Sequence, residues 1–271
     1  MRTFDDESFI LENYRDISSR DIKFYGRFFH CLRIKWLTKS RLFSKTWTDS
    51  SSKSDPPPDF HNDRFGIMME MMRVDDCVNS IDGKHVANSF EHANKTMKKY
   101  AGNDYRKKLN GDLFFIPDTR NTDEYNFNGY INNFERVISK HSSKISEYRK
   151  NYPKCKTTVF FISDESDNYV QVNDPNDLNR EGKENIPFAF YPHFSHLDEG
   201  FLNIIKQCQA DYIVWFFVYK SIYVDDKMIK QPRVCIIDLK HMRKKGHVYD
   251  HNLMMKVVEP GPNNSINGGL K

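Results

Sequence analysis

The period of the apolar positions changes several times along the chain, and each change marks an element. Residues 6–18 carry Phe9, Ile10, Tyr14 and Ile17 at near-helical spacing. From about Asp21 to Leu37, Phe24, Phe28, Cys31, Ile34 and Leu37 recur at steps of three and four. That stripe predicts a second amphipathic helix, with Asp21 as its cap and most of its phenylalanines in the core. Residues 48–58, TDSSSKSDPPP, form a loop by composition. In 65–74, methionine and glutamate favour helix, but the run is short and flanked by Pro, Gly and Asp, so we read a buried strand. Residues 84–100 read as helix, and 101–126 as a polar stretch around the apolar run Leu113–Ile116.

The second half is more regular. Ile131, Phe134, Val137, Ile138, Ile145 and Tyr148 predict a long helix over 128–150, closed by Pro153. Thr157–Ile162 reads as a buried strand, and 173–187 as an Asn/Asp/Gly/Pro loop. A helix at 198–208 precedes a strand at 211–218, and a last strand spans Val234–Asp238. Two helix-then-buried-strand units predict an α/β fold: a mixed central β-sheet flanked by helices. No internal repeat or linker divides it, so a single domain is expected over 1–258, with a flexible tail over 259–271.

An aromatic share of 14% in 271 residues supports a sizeable core. The five cysteines, Cys31, Cys77, Cys155, Cys208 and Cys235, are widely spaced with no CxxC pair. That excludes a disulfide framework and a cysteine zinc site, and points to reduced thiols. No run approaches the roughly 18 apolar residues of a spanning helix, and the acidic MRTFDDESF start has no signal-peptide pattern. The expectation is therefore a cytoplasmic protein without a membrane partner.

The net charge of +4 is mild, but its distribution is uneven. Between Arg20 and Lys45, bases including Lys23, Arg27, Arg33 and Lys35 face a single acid, Asp21. A second group includes Lys98, Lys99, Lys107 and Lys108. Bases on one helix face contact phosphates, so both groups are candidate nucleic-acid contacts, although such a face is also simply solvated. The phosphate-loop, dinucleotide, HExxH and GxSxG signatures are absent. His247 and His251, four apart without an evident third ligand, read as a surface pair.

Metal-dependent phosphodiester hydrolysis needs carboxylates around a divalent cation, often with a lysine nearby. On a strand, residues two apart project from one face. Two stretches approach this arrangement. In the first, Pro58-Asp59 is followed by Glu70, with Asp63 as a further acid, but Met72 stands where a lysine is wanted and Arg73 faces the other side. In the second, Asp238-Leu239-Lys240 ends an apolar strand, with Asp225 and Asp226 upstream on what would be a paired strand. Asp164-Glu165, after the 157–162 strand, is a third acidic strand end.

The first stretch resembles the PD-(D/E)xK nuclease superfamily, whose core runs helix, three strands carrying the acids, helix, strand. The resemblance covers about residues 20–165 with a long insertion, and implies a restriction-endonuclease-like core with insertions. It implies Mg²⁺, or Mn²⁺, held by Asp59 and Glu70, and DNA or RNA as substrate. Either Lys84, Lys95 or Lys98 would supply the missing charge, or the site is degenerate. The alternative is a non-catalytic α/β interaction protein that binds a protein or nucleic-acid partner through Phe- and Met-rich surfaces.

Overall fold

The structure is a computed structural model and describes residues 6–44, 46–50, 58–76, 126–173, 175, 190–218, 221–224, 227–243 and 245–257. The helix expected at 84–100, the bases Lys98, Lys99, Lys107 and Lys108, Asp225 and Asp226, and the tail lie outside the described residues.

The elements in chain order begin with α1 (Asp6–Asp16), β1 (Ile22–Tyr25), α2 (Phe28–Lys39) and α3 (Arg41–Ser44). Strands β2 (Thr48–Asp49), β3 (Phe60–Asn62) and β4 (Ile67–Val74) follow. Then come α4 (Phe127–Ser142), α5 (Ile145–Asn151), β5 (Thr157–Asp164), β6 (Tyr169–Val172), β7 (Phe190–Pro192) and α6 (Glu199–Gln207). The last strands are β8 (Tyr212–Phe217), β9 (Ser221–Val224), β10 (Lys227–Lys230), β11 (Val234–Asp238) and β12 (Met254–Lys256).

Seven strands form the central sheet in the order β1-β11-β8-β5-β4-β3-β2. Its middle strands β4, β5 and β8 are parallel, and β11, β3 and β2 pair antiparallel with their inner neighbours. Paired on both sides, β4 and β5 bury both faces, so they read as continuous apolar runs. The period of two sorts their side chains. Met68, Met72, Phe160, Ile162, Ile213 and Trp215 pack under α4, α5 and α6. Met69, Met71, Val159, Phe161, Val214 and Phe216 pack with α1 and α2 residues on the other face. Side-chain direction therefore fixes which helix layer each strand residue meets. The mixed sheet flanked by helices is as expected. A hairpin of β9 and β10, and a small sheet β12-β6-β7, add to it.

Two boundaries and one strand pairing differ from expectation. The apolar stripe of 21–37 spans two elements. Ile22–Tyr25 is a strand pairing with β11, the helix starts only at Phe28, and Gly26, at φ 110°, makes the turn between them. Asp21 lies in a 3-10 turn and does not cap α2. The 128–150 helix is broken at Ser143–Lys144 into α4 and α5. The strand at Val234–Asp238 pairs with β8 and β1, while β9 and β10 pair with each other.

Candidate functional site

Asp59 immediately precedes β3. Phe60 pairs with Met69, so one step outward along the antiparallel register Asp59 stands across from Glu70. The chain is held there by Ser50, which donates its backbone N–H to the Asp59 carbonyl (2.9 Å) and its hydroxyl to the Pro58 carbonyl (2.6 Å). The Asp59 carboxylate accepts the Met71 backbone N–H at 2.7 Å, a bond that extends the β3–β4 ladder through a side chain.

Glu70 belongs to the face of β4 that also carries Met68 and Met72, beneath α4 and α5. It is 4% exposed. Its Oε1 accepts from His141 Nδ1 at 2.6 Å, in the last turn of α4, and from the Tyr148 hydroxyl at 2.9 Å, in α5. In one continuous helix those residues would stand about 10.5 Å apart along the axis. The break at Ser143–Lys144 and the reach of Tyr148 let both meet one oxygen. Burial first, then the charge of Glu70, pushes the Tyr148 phenol well above its ordinary value, so it stays a donor. Glu70 Oε2 is also buried, and among the described residues nothing donates to it. Leaving such an oxygen unsatisfied costs about 1–3 kcal/mol.

The other members expected around this pair are placed as follows. Asp63 lies beyond the far end of β3, where it meets Lys154 Nζ (3.6 Å) and the Cys155 thiol (3.6 Å). Met72 is buried in the helix-side core. Arg73 pairs with Glu165 at 3.4 Å.

The second stretch gathers a different set. Asp238, 1% exposed at the end of β11, meets His30 Nδ1 through Oδ2 at 2.9 Å. His241 Nδ1 lies 3.0 Å from its Oδ1 and 2.9 Å from its Oδ2. Lys240 is exposed on the intervening 3-10 turn. Asp238-x-x-His241 was visible in the sequence beside Asp238-x-Lys240. His30, more than two hundred residues away, carried no local signal.

The third acidic strand end is a closed hub. Asp164, fully buried, accepts from the Tyr130 hydroxyl, Trp215 Nε1 (3.0 Å), and Ser166 N (3.2 Å) and Oγ (2.6 Å). Beside it, Asp76 accepts from Tyr169 (2.6 Å). Glu165, raised above its ordinary value by burial, is partly offset by Arg73. Asp198 forms another hub. Its Oδ2 accepts from His193 (2.8 Å) and His251 (3.1 Å), and its Oδ1 caps α6 at Gly200 N (2.7 Å). His251 thus binds Asp198 instead of pairing with His247, and neither lies on an α-helix.

Of the bases, Lys23, Arg27 and Arg33 are exposed, and Lys35 donates to Ser19 (3.0 Å). Cys31, Ile34 and Leu37 of α2 are buried as expected, but Phe28, Phe29 and Trp36 are 57%, 79% and 58% exposed. The expectation that the phenylalanines of this stretch are mostly core is therefore corrected. Moving the helix start to Phe28 turns Phe28 and Phe29 outward. The face is apolar as well as basic, and it lies on the opposite side of the sheet from Glu70.

No disulfide links the described cysteines Cys31, Cys155, Cys208 and Cys235. No helix among the described residues is long and apolar enough to cross a membrane. Comparison with protein-family models, with curated proteins and with solved structures finds no match to the chain.

Proposed function

We propose that the chain is a divergent metal-dependent hydrolase of phosphodiester bonds in DNA or RNA, with Asp59 and Glu70 as its acids. The observation that carries this reading is the buried Glu70 oxygen Oε2, which faces no donor among the described residues. Oε1 already takes two donors, so the carboxylate is held in one orientation with its second oxygen in reserve. Among the described residues, the succession α2–α3, β2–β3–β4, α4–α5, β5 supports the reading, since the superfamily it resembles runs helix, three strands, helix, strand.

Two carboxylates on adjacent strands suit a hard divalent cation such as Mg²⁺ or Mn²⁺, which would supply charge neutralisation and an activated water. Asp59 and Glu70 would hold it, and Tyr148 and His141 would fix the Glu70 rotamer. Incubation of supercoiled plasmid, single-stranded DNA and RNA with Mg²⁺ or Mn²⁺ tests the reading. Cleavage that stops with a chelator, and in Asp59→Ala and Glu70→Ala, is the expected result. Cleavage equal to the parent in both variants, or none of any substrate, overturns it.

The exposed face of α2 favours a second reading, nucleic-acid binding without cleavage. Arg33 lies on α2 among Phe29, Leu32 and Trp36, all exposed. Aromatic side chains interleaved with cations suit stacked bases of a single strand. Salt-dependent retention of intact substrate, lost in Phe29→Ala and Trp36→Ala, would distinguish this reading from cleavage at Glu70.

A further inference from the structure

Among the described residues, two places bring one buried aspartate against two histidines, and they differ in what surrounds them. At Asp198, Oδ1 is taken by the Gly200 N–H. His193 is buried with its ring against Phe127 (4.8 Å) and Tyr249 (4.8 Å), and the ring of His251 lies 4.9 Å from that of Phe127. Both oxygens of that carboxylate are therefore engaged, Oδ1 by the amide and Oδ2 by the two imidazoles. At Asp238 only the carboxylate is buried. The side chains of His30 and His241 are 39% and 21% exposed.

The Asp238 group is also held from several directions. Asp238 ends β11, His241 follows three residues later in a 3-10 turn, and His30 is in the first turn of α2. The two imidazoles stand edge to face, with ring centres 5.3 Å apart and planes at 76°, so both Nδ1 edges converge on the carboxylate. Gly26 packs against the backbone of Asp238. A Cβ at Gly26 would lie 2.6 Å from Asp238 Cβ, and its φ of 110° is one that other residues rarely adopt. That contact fixes the strand end, and with it the carboxylate, beneath α2.

We propose that His30, Asp238 and His241 bind a first-row divalent transition metal ion such as Zn²⁺, in a site separate from Asp59 and Glu70. Their ligand atoms all lie within 4.8 Å of one another. Around a tetrahedral ion with ligands at about 2.0–2.2 Å, neighbouring ligand atoms stand about 3.3–3.6 Å apart. The imidazole–carboxylate separations of 2.9–3.0 Å need only a few tenths of an ångström of opening. Two imidazoles and one carboxylate favour zinc or its first-row neighbours over Mg²⁺, which prefers oxygen ligands. Three protein ligands leave one position for water or a ligand oxygen.

Titration of the purified full chain with Zn²⁺ by calorimetry, and with Co²⁺ by visible absorption, tests the site. The expected results are a Zn²⁺ affinity that falls at least about tenfold in His30→Ala and in His241→Ala, and a Co²⁺ d–d band that disappears in both variants. Both histidines are partly exposed, so these variants keep the fold, and circular dichroism verifies it. Zn²⁺ binding persists in Glu70→Gln, which separates this site from the proposed hydrolytic one. Absence of binding, or binding unchanged in both histidine variants, overturns the proposal.

Discussion

Glu70 and Asp164 are buried carboxylates on neighbouring parallel strands, both turned toward the same helix layer, and their surroundings are opposite in kind. Asp164 is surrounded by donors: a phenol, an indole, a hydroxyl and a backbone amide. Glu70 has two donors on one oxygen and, among the described residues, none on the other. A carboxylate saturated by rigid aromatic donors acts as a clamp between elements. One left half-satisfied in the core costs stability and calls for an explanation, such as an ion or an ordered water. Acidity at a strand end is therefore a weaker guide to function than the state of each oxygen.

The largest effect is expected at Asp164. Asp164→Ala leaves the Tyr130 hydroxyl and the Trp215 indole N–H without their shared acceptor, at about 1–3 kcal/mol each. A loss of about 3–5 kcal/mol in urea-induced unfolding is expected. A loss below about 1 kcal/mol would remove the clamp from the account.

Glu70→Gln should behave differently. The amide oxygen can still accept from Tyr148 and His141, while a desolvated charge is removed. Unfolding stability is expected to stay within about 1 kcal/mol of the parent or to rise. Metal-dependent cleavage should fall by about two orders of magnitude or more, read by initial rates. Equal loss of stability in the Glu70 and Asp164 variants would erase the distinction between them.

Asp198 sharpens the comparison through pH. Burial alone would raise its carboxyl, but the His193 hydrogen bond and the charges of His193 and His251 hold it below the ordinary value. A folded-state value below the unfolded one gives stability that is present above about pH 4 and is lost as pH falls through the folded value. Asp198→Asn should flatten the acid limb of a plot of unfolding free energy against pH, and an unchanged limb would contradict this assignment.

The smallest effects are expected on the exposed face of α2, while its buried thiol acts at alkaline pH. Phe29→Ser and Trp36→Ser should change stability by less than about 0.5 kcal/mol, in contrast to any buried aromatic. The Cys31 thiol is pushed up to about 11, first by burial and then by the charge of Asp238. Its contribution to stability is therefore full below about pH 9 and declines as pH rises from 9 to 11. Cys31→Ala should weaken that alkaline decline.

Four of the seven central strands were legible because they are continuous apolar runs: 65–74, 157–162, 211–218 and 234–238 became strands close to the expected bounds, whereas β1 fell within a stretch read as helix and β2 within one read as loop. The 21–37 stretch misled because a strand and a helix abut across Gly26 with apolar residues that mimic one helical stripe. The break at Ser143–Lys144 was hidden because the apolar spacing continues in step across it.

Part of the Glu70 site was also present in the sequence. Phe134, Ile138, His141, Ile145 and Tyr148 follow each other at steps of four, three, four and three. His141 is the polar member of that stripe, as Glu70 is the polar member of the face of β4 that carries Met68, Met72 and Val74. Two apolar faces each interrupted by one complementary polar residue signal a contact across the core. The meeting of His30 with Asp238 had no such signal, because it depends on which strand pairs with β11.

The most direct test of the central claim, that the second oxygen of Glu70 is reserved for a cation shared with Asp59, is a Mn²⁺ titration followed by electron paramagnetic resonance. It is best done in a His30→Ala/His241→Ala background, which removes the other candidate metal ligands. One bound Mn²⁺ per chain, lost in both Glu70→Gln and Asp59→Asn, is the predicted result. No bound Mn²⁺, or binding that both substitutions leave intact, would contradict it.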